Sequence, residues 1–237
     1  MQKKIVVHMY LKNGKAVTGF DGKELLEDGD VMSIAQHYSN NGADELLIFD
    51  LSDDDVDHEQ SLNLIRQISR VIDIPMSGGG HIKNLEDVKK LLYAGCQQVF
   101  LNYAKAANIE LTEEVSKRFG KEKIAICTDS FAQLQANKAR VNEYTSRVIL
   151  LCDEVDVRTT ARLVEVPVLP VSTRADRHGL LKLLMLDNIC GVCGDTFSDL
   201  NEDLMAAKLE AKKHGVEINT FESNMSWNEL KLNSDGM

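Results

Sequence analysis

Eight short apolar runs recur along the chain, and most of them do not alternate polar with apolar residues. They are KIVVHMY (4–10), DELLIFD (44–50), VIDIPMS (71–77), QQVFLN (97–102), KIAICTD (123–129), RVILLC (147–152), VPVLPVS (166–172) and NICGVCG (188–194). A strand that is apolar on both faces must be covered on both sides, which is the condition of a parallel sheet flanked by helices. Helical patterns lie between the runs. Residues 31–41 precede Gly42, and 58–70 place Leu62, Ile65 and Ile68 near helical spacing. Residues 84–94 open on Asn84, with Glu86 and Asp87 in the first turn, and close at Gly95. The last, 199–214, ends in KKHG, with cations at the negative end of the helix dipole. Eight strands alternating with helices predict an α/β fold, a single (β/α)8 TIM barrel. A doubly wound open sheet shares that alternation and is the alternative.

Length alone leaves the domain count open, since 237 residues lie between one and two domains at roughly 150 residues each. The 43% apolar content is enough to fill a core and argues against disorder. With 37 acidic against 27 basic residues the formal charge is −10, which argues against a nucleic-acid partner. No apolar run reaches the ~18 residues of a membrane span, and MQKKIVVHMYLK lacks a signal-peptide core. Five cysteines, an odd number set mostly in apolar stretches, fit reduced thiols in a cytoplasmic protein. Cys190 and Cys193 form a CxxC with no second pair or nearby histidine, so no metal site or cofactor is implied.

Function in a barrel sits where the strands end. Those ends offer Tyr10, Asp50, Ser77–Gly80, Asn102, Asp129, Cys152, Ser172–Arg174 (with Thr173) and Gly194–Thr196. The run Gly78-Gly79-Gly80 is either a phosphate cradle or a tight turn needing positive φ. Asp129 ends an apolar run, as a general acid or base or as the N-cap of a helix starting at Ser130. Asp50 invites the same two readings. The acidic stretch SDDDVDHE (52–59) reads as a solvated, helix-capping loop rather than a cation site, and His8 and His81 have no ligand spacing.

The motifs LKNGKAVTGF (11–20), Gly29-Asp30, YSNNGADELLIFDL (38–51), IDIPMSGGGHIKNLEDVKKLLYAGCQQVFLN (72–102) and KIAICTD run nearly without gaps from Lys4 to Asp129. They resemble the cyclase subunit of imidazole-glycerol-phosphate synthase, a (β/α)8 barrel of histidine biosynthesis related to the phosphoribosylformimino-ribotide isomerase. The resemblance returns in VPVLPVS and in AKKHGVEIN (211–219). It implies a phosphoribosyl ligand, catalytic aspartates ending the first and fifth strands, and phosphate sites after strands 3, 4, 7 and 8. Asp129 matches the second aspartate, but Tyr10 stands in place of the first. A phenol with a pKa of about 10 does not replace a carboxylate as a base at neutral pH. Gly79, Gly80 and Asn102 match the first phosphate site, with the glycine run one residue out of phase and His81 following it. Thr173-Arg174 replaces the expected glycine pair after strand 7, and strand 8 ends in Gly194-Asp195-Thr196. The interval between Asp129 and the seventh run is short, so the loops after strands 5 and 6 are expected to be truncated.

The same resemblance implies an ammonia gate of alternating charges at the opposite mouth, facing a glutaminase. Its positions here are Lys4, Glu45, Gln98 and Arg147, where the alternation is lost, so a glutaminase subunit is not expected. The barrel is expected over 1–224. Residues 225–237, with WNELKLNSDGM, resemble the opening of phosphoribosyl-AMP cyclohydrolase domains and read either as the start of such a fused domain or as a disordered tail. The expectation is a cyclase-like barrel without catalysis, a scaffold or regulatory domain beside a cyclohydrolase and pyrophosphohydrolase. The alternatives are an active cyclase or isomerase, or a binder of a pathway phosphate, with Asp50, His81, Thr173, Arg174 and Thr196 as secondary site candidates.

Overall fold

Each of the eight runs carries a strand in the computed structural model, which describes residues 2–26, 30–153 and 155–220. The strands are β1 (Lys4–Lys12), β2 (Lys15–Thr18), β3 (Glu24–Leu25), β4 (Glu45–Asp50), β5 (Met76–Gly79), β6 (Gln98–Asn102), β7 (Ile124–Thr128), β8 (Arg147–Leu151), β9 (Val168–Ser172) and β10 (Gly191–Gly194). β1 pairs in parallel with both β4 and β10, which closes β1 and β4–β10 into a cylinder and excludes the open sheet. β2 and β3 are an antiparallel hairpin on the edge of β1. The helices are α1 (Val31–Asn40), α2 (Asp55–Ile68), α3 (Leu85–Tyr93), α4 (Ala106–Phe119), α5 (Phe131–Ala136), α6 (Lys138–Tyr144), α7 (Val157–Leu163), α8 (Arg177–Leu183), α9 (Asp195–Ser198) and α10 (Leu204–Lys213). The fold is a single (β/α)8 TIM barrel.

Side chains alternate along each strand, so the apolar runs feed two separate cores. Ile5, Val7, Met9 and Leu11 face the helical layer, together with residues such as Leu62, Ile65 and Leu91. Val6, Tyr10, Leu47, Phe49, Phe100, Cys127, Ile149 and Leu169 fill the cylinder itself. The connections after the fifth and sixth barrel strands are short: residues 129–130 join β7 to α5, and 152–156 join β8 to α7.

Several boundaries differ from those expected, three of them with a clear physical reason. The third strand is not 71–77 but Met76–Gly79. Ile72 and Ile74 are loop residues packed on the core, Pro75 has no N–H for a ladder, and the glycine run therefore lies partly inside the strand. α2 begins at Asp55, because Asp54 accepts hydrogen bonds from the N–H groups of Val56 and Asp57. The acidic stretch is thus a cap and first turn, favourable at the positive dipole end. The last helix begins at Leu204, capped by Asp203, with the separate turn α9 before it.

Helix α3 starts as expected. Asn84 accepts from Glu86 N at 2.8 Å and Asp87 N at 3.2 Å, and Asp87 closes a capping box. Replacing Asn84 by alanine should lower unfolding free energy by about 1 kcal/mol, seen as a lower urea midpoint at unchanged slope. Among the described residues no helix is long and apolar enough to cross a membrane. Gly29 and the segment 221–237, including the resemblance at 225–237 and the expected domain boundary at 224, lie outside the described residues.

Candidate active-site cleft and the two barrel mouths

Asp50, Gly79, Gly80, His81, Asn102 and Asp129 converge on one cleft of about 380 Å³ at the C-terminal end of the barrel strands. Ser130, not Asp129, caps α5, since its hydroxyl accepts from Gln133 N at 3.2 Å. The Asp129 carboxylate is exposed and has no hydrogen-bond partner among the described residues. The capping alternative for Asp129 is therefore excluded, and its carboxylate is available to a ligand. Lys12 and Lys105 also line the cleft. Neither stood out in the sequence, because an isolated lysine carries no pattern.

Asp50 is in a different state. It is buried, with Oδ2 2.5 Å from His58 Nδ1, and Oδ1 accepts from Ser52 N at 3.1 Å and from the Ser52 hydroxyl. Its oxygens are engaged in holding the start of the β4–α2 loop. His81 stacks on His58 with ring centroids 4.8 Å apart, and its nitrogens meet Ser52 O at 3.1 Å and Asp55 Oδ1 at 2.7 Å. Hydrogen bonds from Lys83 and then His81 hold the Asp55 carboxyl at about 2. His81 has φ of +52°, a left-handed backbone usually given to glycine or asparagine.

The glycines have packing reasons of their own. A Cβ on Gly79 would stand 2.3 Å from the Phe100 ring, and one on Gly80 only 2.0 Å from Asp50 O. Gly80 also has φ of +112°. Beyond β6 the backbone donors are consumed internally: Tyr103 N bonds Cys127 O, Ala104 N bonds Asn102 Oδ1, and Lys105 N bonds Asn102 O. These groups are engaged without any phosphate.

Tyr10 points into the cylinder, not into this cleft. Its ring packs edge-on to His8 and Phe20 at 4.8 Å each and lies 5.4 Å from Phe49, which in turn contacts Phe100 at 5.1 Å. Its hydroxyl is buried with no partner among the described residues. Burial pushes the phenol above its ordinary pKa, and the nearby Asp195, Cys193 and Asp153 push it further. A proton held this firmly leaves no base at the end of the first strand.

Thr173, Arg174 and Thr196 do not join the cleft. The Asp153 carboxylate accepts from Thr173 N at 3.1 Å and from the hydroxyls of Ser172 and Thr173. Burial opposes ionisation of Asp153, but these hydrogen bonds outweigh it and lower its pKa. Arg174 N donates to Ser172 Oγ at 3.2 Å, and Thr196 Oγ1 donates to Ala175 O at 2.9 Å. An internal carboxylate thus takes the donors that the resemblance reserves for phosphate. Asp153 carries no signal in the sequence, because nothing local pairs it with residues 172–173.

At the opposite mouth the charged side chains pair with one another. Arg147 reaches from β8 across the axis to Glu45 on β4, with Nη1 3.0 Å from Oε2 and Nη2 bound to Oε1. Ser77 Oγ donates to Glu45 Oε1 at 2.7 Å, and Lys4 Nζ lies 3.1 Å from Oε2. Burial alone would raise the Glu45 carboxyl, but Arg147, then Lys4 and Ser77, hold it at about 2. Gln98 turns aside, donating to Ser146 Oγ at 2.7 Å.

Comparison with known proteins matches residues 4–187 to the family described as Histidine biosynthesis protein. Among curated relatives, imidazole glycerol phosphate synthase subunit HisF of Flavobacterium psychrophilum is 33% identical over 130 residues, 55% of this chain and 52% of that protein. The subunit HisF of Haemophilus influenzae is 32% identical over 162 residues, 68% of this chain and 60% of that protein. The Staphylococcus aureus (strain Newman) subunit is 34% identical over 131 residues, 55% and 52% of the two chains. The matches therefore span little more than half the length of these relatives. With the closed barrel and its motif-bearing strand ends, the family match is decisive: the chain belongs to the histidine biosynthesis protein family, as a HisF-like (β/α)8 barrel.

Proposed function

We propose that this barrel has lost the ring-closing reaction of the synthase subunit it resembles and serves histidine biosynthesis as a scaffold or regulatory domain. The observation that carries this is Tyr10, caged by Phe20 and Phe49 with its hydroxyl buried, where the resemblance calls for a catalytic carboxylate. General acid–base chemistry with a single carboxylate, Asp129, lacks the second group that would return the proton. Two further observations support the reading. Asp153 occupies the donors of Ser172 and Thr173, and the Glu45–Arg147 pair spans the mouth where ammonia from a glutaminase would enter. On this reading the barrel works without a glutaminase partner. The resemblance of residues 227–237 to the opening of a phosphoribosyl-AMP cyclohydrolase supports a covalently joined neighbour in the same pathway, paired in turn with a pyrophosphohydrolase.

A second reading is favoured by one specific observation: Asp129 is exposed, unpartnered and in a cleft with Lys12 and Lys105, which suits an active cyclase or isomerase on a phosphoribosyl substrate. One assay separates the two. The purified chain is incubated with ammonia and the aminoimidazole-carboxamide ribotide intermediate, and product is followed by chromatography. No turnover above the uncatalysed rate is expected. Ammonia-dependent product that disappears in Asp129→Asn would overturn the scaffold reading in favour of the second.

A further inference from the structure

On the outside of the barrel, a cavity of about 420 Å³ lies between α7 and the end of α8, lined by Arg158, Arg162, Lys182, Met185, Leu186 and Asp187. It shares no residue with the Asp129 cleft. Arg158, Arg162 and Lys182 are all exposed, and none of them makes a salt bridge among the described residues. The two arginines stand four residues apart on α7, a spacing at which like charges face each other and repel. Beside them Met185 exposes 64% of its surface. In a chain of net charge −10, unneutralised cations grouped around an exposed thioether call for an acidic cover that brings an apolar anchor. A small inorganic anion would answer the arginines and leave Met185 bare.

The described chain reaches its last residue close to this cavity. Ile218 pairs in parallel with Lys3, and Lys3 Nζ donates to Leu186 O at 3.2 Å and to Ile189 O. Lys212 Nζ then donates to Thr220 Oγ1 at 3.3 Å. One strand spacing and one lysine side chain therefore separate Ile218 from Leu186 on the cavity wall. Residues 221–237 follow, with Glu222, Glu229 and Asp235 against the single Lys231, and with Phe221, Met225 and Trp227 as large apolar side chains. The seven residues 221–227 can extend up to ~25 Å, which is ample for that gap. A tryptophan ring packs favourably on both a guanidinium face and a thioether sulfur.

We propose that residues 221–237 of this chain dock on the cavity between α7 and α8, with Trp227 against Met185 and with Glu222 and Glu229 facing Arg158, Arg162 and Lys182. Docking relieves the Arg158–Arg162 repulsion and covers Met185 in one step. The site is independent of whether the Asp129 cleft turns over a substrate, so the turnover assay and the test below fail separately.

The test uses the full 237-residue chain, whose only tryptophan is Trp227. Trp227 emission should be blue-shifted, and its quenching by acrylamide reduced, relative to a synthetic peptide of residues 221–237. In the double variant Arg158→Glu with Arg162→Glu, both signals should move to those of the peptide, with the far-UV circular dichroism and the urea midpoint retained because both side chains are exposed. Adding Glu222→Lys and Glu229→Lys to that variant reverses both sides of the pairing and should restore the native signals. Peptide-like emission in the unaltered chain, native signals that survive the double arginine variant, or failure of the charge swap to restore them would each overturn the proposal. Protection of Trp227 that appears only as concentration rises, with a dimer mass by sedimentation, would assign the cover to a second copy instead and overturn docking within one chain.

Discussion

Replacing Glu45 by methionine is expected to lower unfolding free energy by about 3–5 kcal/mol, measured by urea denaturation, because it strands the Arg147 guanidinium inside the barrel. Only Ser77 Oγ, 2.9 Å from Nη2, would remain as an acceptor from the present cluster, and Nε is already without one. The reverse change, Arg147→Met, should cost less. Lys4, at 3.1 Å, and Ser77, at 2.7 Å, still satisfy the Glu45 carboxylate, and Lys4 is partly exposed and adjusts easily. The double replacement by methionine should recover most of the loss, since an apolar pair avoids the desolvation of both ions. Equal losses in the two single variants would show that Lys4 contributes nothing.

The same cluster sets a pH dependence. The Glu45 carboxyl sits at about 2 in the folded chain, against about 4.3 for a glutamate in an unfolded one. A carboxyl depressed by folding stabilises the native state above its unfolded pKa and loses that contribution as pH falls through the folded value. Stability from this group should therefore be complete above about pH 4.5 and fade toward pH 2, by about 3 kcal/mol in all. The fade should be absent from the double methionine variant. A denaturation series from pH 6 to 2 on both proteins reads it directly.

Gly80→Ala is the second large effect, expected to lower stability by about 3 kcal/mol or more. The new methyl would overlap Asp50 O at 2.0 Å, and the alanine would have to hold φ of +112°. Relief requires β5 and the Asp50–Ser52 turn to separate, which would loosen the Asp50–His58 pair, so chemical shifts of His58 should move with the loss. Gly215→Ala is the matched control. It shares a positive φ, +82°, but has nothing within 4 Å of the added Cβ, so it should cost only about 1 kcal/mol of backbone strain. If the two alanine variants are equally stable, the crowding against Asp50 is not what fixes glycine at position 80.

How much was legible beforehand follows from the range of each interaction. Asn84 and Gly95 bound α3 through contacts a few residues long, and both were readable as a cap and a stop. Ile72 and Ile74 have the apolarity of a strand but lie in a loop, because a buried loop and a buried strand look alike in apolarity and only the ladder hydrogen bonds tell them apart. The glycines at 79 and 80 were visible, but what excludes a side chain there is Phe100 and Asp50, on neighbouring strands. Asp129 and Asp50 looked equivalent as strand-end carboxylates. Ser130 frees the first, while His58 and Ser52 engage the second.

By itself the sequence determined a helix-covered parallel sheet, because eight doubly apolar strands separated by helices can be covered on both faces only in a few ways, and the pairing of β1 with β10 decided the closed barrel over the open sheet. It also determined that a tyrosine, Tyr10, stands where the resemblance calls for a first-strand carboxylate. Tertiary structure alone decided the contacts across the barrel. The aromatic cage around Tyr10, the Asp153 carboxylate on Ser172 and Thr173, and the Arg147–Glu45 pair all join residues from different strands. Closing the cylinder sets their distances, and no local pattern along the chain encodes a distance across it.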